Sequence, residues 1–184
     1  MPSRPYGQLN ESTWGSLSQF QSIQRLTHVN YRWQCGIRKI LKDCSIREAK
    51  LTDAPAIARL VTQLGYPTSS IQMEKRLQIL LAHSDYITLV AEVSGSVVGL
   101  VGAYLGYAIE FTGYYGRLTG LVIEEKWRGR GIGKMLMEYI ECWSREQGAI
   151  LITLTSGKQR EQAHRFYESL GYDETGLRFV KRLD

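Results

Sequence analysis

Apolar residues recur along this chain in two rhythms, near every second position and near every third or fourth, and their alternation predicts strands and helices in turn. Residues 46–51 read as a first strand. Thr52 or Asp53 then caps a helix with Pro55 in its first turn, where a missing N–H leaves no bond unmade. Ile57, Leu60, Val61 and Leu64 form one stripe on that helix, and Gly65 ends it. Ser69 and Gln72 have the spacing of a capping box for a second helix running to about Ala82, with Ile71, Leu77 and Leu81 inward. Residues 86–93 and 97–109 read as a hairpin around Ser94-Gly95-Ser96, followed by a Gly-Tyr loop and a strand over 116–123. Ile132, Met135, Leu136, Tyr139, Ile140 and Trp143 share one face of a helix over 131–147. A parallel strand over 150–154, a helix over 161–170 and a closing strand over 175–183 complete the order. Such an order predicts an α+β fold: a central mixed sheet flanked by helices in a three-layer sandwich, containing one βαβ unit.

Residues 1–45 do not join this rhythm. They mix Ser, Gln and Arg with Tyr6, Trp14, Phe20, Tyr31 and Trp33, and no apolar stretch follows a basic start as in a secretory signal. Three readings stay open: an organelle transit segment, a partly helical appendage over 29–41, or a flexible extension. The chain therefore divides into a basic extension, 1–45, and one domain, 46–184.

Composition narrows the class. With 184 residues and 43% apolar content the chain can bury one good core. No run of about eighteen apolar residues occurs, so no membrane span is expected. The net charge of +5 resides mostly in the extension, where residues 1–45 hold six basic and two acidic side chains. The domain is nearly neutral, and without a groove-reading or base-stacking motif no nucleic-acid partner is expected. Cys35, Cys44 and Cys142 are odd in number and lack metal-ligand spacing, which fits a reducing cytoplasm and no metal.

Candidate chemistry concentrates where the apolar run 118–123 meets the helix over 131–147. Arg128-Gly129-Arg130-Gly131-Ile132-Gly133 fills that junction. Main-chain N–H groups at a helix start lack carbonyl partners, and aligned peptide dipoles leave partial positive charge there. Glycines let the chain turn and let a phosphate approach the backbone. Arg128, Arg130 and Lys134 add formal charge, so a pyrophosphate is the expected ligand. A Walker loop would need Ser or Thr after Lys134, where Met135 stands. A dinucleotide site would need G-x-G-x-x-G and an acid about twenty residues later, where Ile150-Leu151-Ile152-Thr153 stands.

With both set aside, residues 121–172 resemble the GNAT superfamily of N-acetyltransferases. The family motif R/Q-x-x-G-x-G/A after an apolar strand is matched by Arg128, Gly131 and Gly133 behind Leu121, Val122 and Ile123. A second segment, A-x-x-F-Y-x-x-x-G-F, is matched by Ala163, Phe166, Tyr167, Gly171 and Tyr172. The similarity extends over about 46–183.

The resemblance implies an acyl-CoA N-acyltransferase-like fold and an enzyme moving the acetyl group of acetyl-CoA to a primary amine by direct attack in a ternary complex. It implies that Gly129, Arg130, Gly131, Ile132, Gly133 and Lys134 bind the pyrophosphate through their amides, with Arg128 beside them. Main-chain groups of Leu121, Val122 and Ile123 would pair with the pantetheine arm, and Tyr167 would protonate the departing thiolate. By periodicity alone Tyr167 is one more packed aromatic beside Ala163, Phe166 and Leu170. Two departures matter. Arg160 occupies the position of a frequent cofactor-contacting Asn, where it reaches a phosphate or is solvated; Thr155 stands where peptide-directed members carry a glutamate base. The base is unassigned among Glu110, Glu124 and a water chain, and His164 reads as a surface or packing residue. Tyr66, Tyr107, Tyr114 and Tyr115 lie in segments that flank the family's acceptor cleft, so a small-molecule amine is expected as partner, with a homodimer compatible. A non-catalytic acyl-CoA-binding regulatory module and a protein N-terminal or lysine acetyltransferase are the alternatives.

Overall fold

The computed structural model describes residues 43–183. The expectations for 1–42 lie outside the described residues. Five strands form one sheet in the order β1-β2-β3-β4-β5: β1 (Cys44–Glu48), β2 (Tyr86–Val93), β3 (Ser96–Tyr107), β4 (Tyr114–Ile123) and β5 (Ala149–Thr153). Neighbours are antiparallel except β4 and β5, which run parallel because α3 (Ile132–Glu146) crosses between them. Helices α1 (Ala54–Gln63) and α2 (Ser70–Leu80) lie between β1 and β2 in the chain, and α4 (Glu161–Ser169) follows β5. The first strand begins at Cys44, two residues before its expected start, and Cys44 pairs with Val93.

Period-two alternation along the strands separates two cores. On one face Val90, Leu100 and Val122 meet Ile57, Leu60, Met73 and Leu77 of α1 and α2. On the other, Leu89, Val101 and Leu118 meet Ile132, Leu136 and Ile140 of α3, with Phe166 and Tyr167 of α4 and Leu170 just after it packed alongside. Each fully buried aliphatic side chain, such as Ile57 or Leu136, contributes about 1.5–3 kcal/mol. The result is the expected three-layer α+β sandwich. No helix among the described residues is long and apolar enough to cross a membrane.

Local signals acted as anticipated at several ends. Ser69 Oγ accepts from the Gln72 amide at 3.2 Å, and Gln72 Oε1 accepts from the Ser69 amide at 2.9 Å, completing the capping box. Ser94 (φ 48°) and Gly95 (φ 77°) make a two-residue turn whose positive φ values match the twist of the β2–β3 hairpin. Three expectations fail. Ile71 and Leu81 face solvent, 69% and 40% exposed, while Met73 and Leu77 fill the inward stripe of α2. Asp53 precedes α1 without capping it through its side chain. The closing strand is absent: 173–183 has no regular structure, and Phe179 and Leu183 are 89% and 90% exposed.

Asp53 has another task. Its carboxylate accepts two bonds from the Arg47 guanidinium, at 2.7 and 2.9 Å, and one from the Lys50 amide at 2.7 Å. Arg47 also donates to Glu92 at 2.8 Å, tying β1, β2 and the start of α1 together. Asp53→Asn should lower the unfolding free energy by about 1–3 kcal/mol in urea melts, because a buried charged acceptor becomes an amide. The Arg47 bonds hold the Asp53 carboxyl below its usual range. Its stabilisation is therefore complete above the unfolded carboxyl's pKa of about 3.9 and is lost as pH falls from there through the folded value. The wild-type melting temperature should drop more steeply than the variant's below about pH 4; parallel acid limbs would refute this role.

Candidate active site

The site begins where two neighbouring strands part. β4 and β5 pair only from Tyr114↔Ala149 to Arg117↔Thr153. Beyond Arg117, β4 keeps β3 on one edge, while among the described residues no strand pairs with its other edge over 118–123. The β3–β4 register contributes to the separation: Gly102 pairs with Gly120 and Ala103 with Leu118, so Thr119 is an extra residue. Such a bulge bends its strand and sharpens the local twist. The freed edge presents main-chain donors and acceptors, and it contains Leu121, Val122 and Ile123. The Ile123 carbonyl already accepts from Gln63 Nε2 at 3.0 Å and Arg128 Nε at 3.2 Å.

That edge leads through a short 3-10 turn, Glu125–Trp127, to the start of α3. Gly131 caps the helix at φ 80°, in the left-handed region that a side chain disfavours, and Gly129 lies at φ 73°. No side chain caps the first amides of α3, and the Gly131 carbonyl receives the first helical bond, from Met135 at 3.0 Å. Three cations surround these amides, and of the three only Lys134 has an acid within salt-bridge distance among the described residues. Arg130 lies 4.7 Å from the Trp127 ring centre, Arg128 is tied to a carbonyl, and Lys134 is 3.9 Å from Glu138. Ile132 is buried beneath them and anchors the turn to the core. Gly133 differs from its neighbours: an added Cβ would lie 3.3 Å from the Phe166 ring, so its smallness serves the packing of α4 on α3.

Phe166 thereby sets α4 beside the mouth of the α3 turn. Its neighbour Tyr167 is half-buried between the rings of Phe166 and Tyr172, at 5.3 and 5.9 Å. Burial pushes the Tyr167 hydroxyl's pKa up, and the positive charge of Arg160 partly offsets this. Tyr172 donates to Glu141 at 3.0 Å, which fixes one wall of the Tyr167 environment. Arg160 hydrogen-bonds the Leu64 carbonyl at the end of α1, so that guanidinium bridges α4 to the opposite helical layer. His164 Nε2 is 3.0 Å from the Gly157 carbonyl, in keeping with a local structural role.

On the α1–α2 face, a cavity of about 180 Å³ opens beside the freed edge. Thr88, Gly102, Thr119 and Gly120 lie along its floor, and Leu64, Tyr66, Leu77 and Tyr86 are among its walls. Gly102 is compelled by crowding, since a Cβ there would come within 2.8 Å of Thr119 Oγ1. Of the four tyrosines expected near an acceptor, only Tyr66 lines this cavity. Tyr107 and Tyr114 stack edge to face at 5.1 Å, and Tyr115 lies over Gly106. Glu110 is exposed in the loop after β3, and Glu124 pairs with Lys126 at 3.3 Å; neither lines the cavity. Thr155 accepts from Arg117 at 3.4 Å. Sequence reasoning missed Thr88, Arg76, Arg117 and the glycine floor. The repeated glycines of β3 were the available signal, but only cross-strand register reveals what they face.

The acetyltransferase (GNAT) family model matches residues 54–172, and the chain belongs to that family of acetyl-CoA-dependent N-acyltransferases. The chain is similar to the aminoalkylphosphonate N-acetyltransferase of Salmonella typhimurium, 27% identical over 78% of this chain and 94% of the relative. It is likewise similar to the aminoglycoside N(6′)-acetyltransferase type 1 of Stenotrophomonas maltophilia, 27% identical over 71% of this chain and 87% of the relative. A solved GNAT family acetyltransferase of Staphylococcus aureus superposes with a TM-score of 0.66 at 28% identity, covering 77% of this chain and 99% of that one.

Gly131→Ala should cost about 1 kcal/mol in urea unfolding, since the left-handed cap penalises a Cβ. Unchanged stability would mean that the turn adopts another conformation.

Proposed function

We propose that the chain acetylates the primary amine of a small molecule, with acetyl-CoA and acceptor bound together. The observation that carries this reading is the meeting of three features: the freed β4 edge, the uncapped start of α3 and the small cavity beside them. The donor set suits acetyl-CoA. Amides of Gly129 through Lys134, reinforced by Arg128 and Arg130, receive the diphosphate, with Arg160 as a further cofactor contact. An extended pantetheine arm, itself a chain of amides, pairs along Leu121, Val122 and Ile123 as an added strand does. The occupied Ile123 carbonyl leaves its N–H and the Leu121 N–H and carbonyl for that pairing, while the Val122 groups face β3. Relatives named for aminoalkylphosphonates and aminoglycosides support a small amine as acceptor.

The chemistry then needs three things. A neutral amine attacks the thioester carbonyl, a new C–N bond forms and the carbonyl oxygen gains charge, which main-chain N–H groups of the freed edge stabilise. The C–S bond breaks as the intermediate collapses, and the thiolate takes the Tyr167 proton. The amine proton leaves to water, since the described residues lining the cavity include no carboxylate and no histidine, and the Tyr167 phenolate takes a proton back from water.

Tyr167→Phe should reduce kcat by about 10²-fold or more in a thiol-release assay, with acetyl-CoA affinity by calorimetry nearly unchanged. Lost affinity with unimpaired turnover would make the tyrosine a packing residue. The pH profile is a separate check. With no protein base, kcat/KM should climb until the acceptor amine itself is neutral, above about pH 9 for an ordinary alkylamine. Burial raises the pKa of the half-buried Tyr167 hydroxyl, which acts to keep the proton on it as the pH climbs. A plateau near neutrality with such an amine would reveal a base and overturn the water route.

A further inference from the structure

Two arginines beside the acceptor cavity are held in place by neutral oxygens and left without an acid. Arg76 lines the cavity from α2 and donates to Thr68 Oγ1 at 3.1 Å. Thr68 is itself fixed: its amide donates to Thr62 Oγ1 at 3.1 Å and its hydroxyl to the Tyr66 carbonyl at 2.8 Å. One guanidinium nitrogen is thus positioned, and the remaining donors stay available at the rim. Arg117 projects from the same face of the sheet one rung beyond the floor, where it pairs with Tyr104, and donates to Thr153 Oγ1 at 3.1 Å. Two other arginines of the domain are paired with acids instead. Arg47 is bound to Asp53 and Glu92, and Arg165 lies 3.7 Å from Glu161. No aspartate or glutamate among the described residues lines the cavity. A tethered guanidinium beside an acid-free cavity disfavours a polycationic guest and favours one that brings negative charge.

We infer that the acceptor is a primary amine carrying an anionic group, a phosphonate or carboxylate, which Arg76 binds at the cavity rim while the amine reaches the floor at Thr119 and Gly120. This rests on the acetyl-transfer reading above and names its substrate class. The cavity, about 180 Å³, lies below the roughly 300–1,000 Å³ typical of drug-sized ligands, so a few-carbon spacer between amine and anion fits it. Arg117 is a second positive centre on that face and strengthens the discrimination.

The test uses the full chain with acetyl-CoA and four acceptors matched in length: 3-aminopropylphosphonate, 4-aminobutanoate, butylamine and 1,4-diaminobutane. The expected result is a kcat/KM for one or both anionic amines at least about tenfold above butylamine and diaminobutane; the two anionic arms tell phosphonate from carboxylate. Arg76→Gln should raise the anionic acceptor's KM about tenfold or more with little change in kcat, and leave butylamine unaffected, as the loss of uniform binding requires. Arg76→Lys should restore part of the lost affinity, because charge is retained without the guanidinium fork. A fold defect would penalise all four acceptors alike, and equal or better turnover of the diamine overturns the inference alone. If no acceptor releases thiol although acetyl-CoA binds, the acetyl-transfer reading fails and the charge assignment falls with it.

Discussion

The separation of β4 from β5 after Arg117 is the constraint on which the remaining architecture depends. A parallel pair that stayed zipped to the end of β4 would satisfy its own main-chain groups and leave nothing for a ligand. Parting the strands inside a groove leaves polar backbone in need of partners, and such groups are costly when buried without them. Two local features sustain the parting. The extra residue at Thr119 bends β4, and buried residues of α3, Ile132 through Trp143, hold the crossover that returns the chain to β5. The same crossover brings its own unpartnered amides to the end of the freed edge. One topological choice therefore supplies two sets of donors in line.

How much of this was legible in the sequence follows the range of each interaction. The capping box at Ser69 and Gln72, the two-residue turn at Ser94-Gly95 and the glycine-rich start of α3 are decided within a few residues, and they appear where expected. Register is not local. Nothing within residues 114–123 reveals that Thr119 is surplus, because surplus is defined only against Gly102 and Ala103 on the facing strand. Gly133 was read as room for a phosphate, yet its near neighbour is Phe166, more than thirty positions away. No motif in the sequence singles out Arg76 or Arg117. Their lack of acidic partners becomes visible only when every nearby carboxylate has been located.

The two errors on inward positions have different causes. Ile71 lies six positions from Leu77, about 120° around the helix, whereas Met73 lies four away, about 40°; Leu81 has the same spacing as Met73 but stands at the C-cap, past the last turn. Residues 175–183 alternate as a strand does, with Leu177, Phe179 and Leu183 apart from Arg178 and Arg182, but alternation states only what a segment fits. Strand structure also needs a paired edge, and in this structure the segment has none.

Charge and proton chemistry are linked in the proposed site. A cavity without carboxylates offers no acceptor for the ammonium proton, which by itself would leave the amine charged and inert at neutral pH. Yet an amine bound near guanidinium groups has its charged form disfavoured by like charge, and burial against Leu64 and Leu77 acts in the same direction. The acceptor's own anion opposes this, since a negative group a few carbons away stabilises ammonium. Arg76 removes that opposition by pairing with the anion, so the contact that selects the acceptor also helps to neutralise its nucleophile. A carboxylate in the cavity would accept the proton directly, but it would repel the anion and stabilise the ammonium. On electrostatic grounds an acid-free cavity and an anionic acceptor belong together.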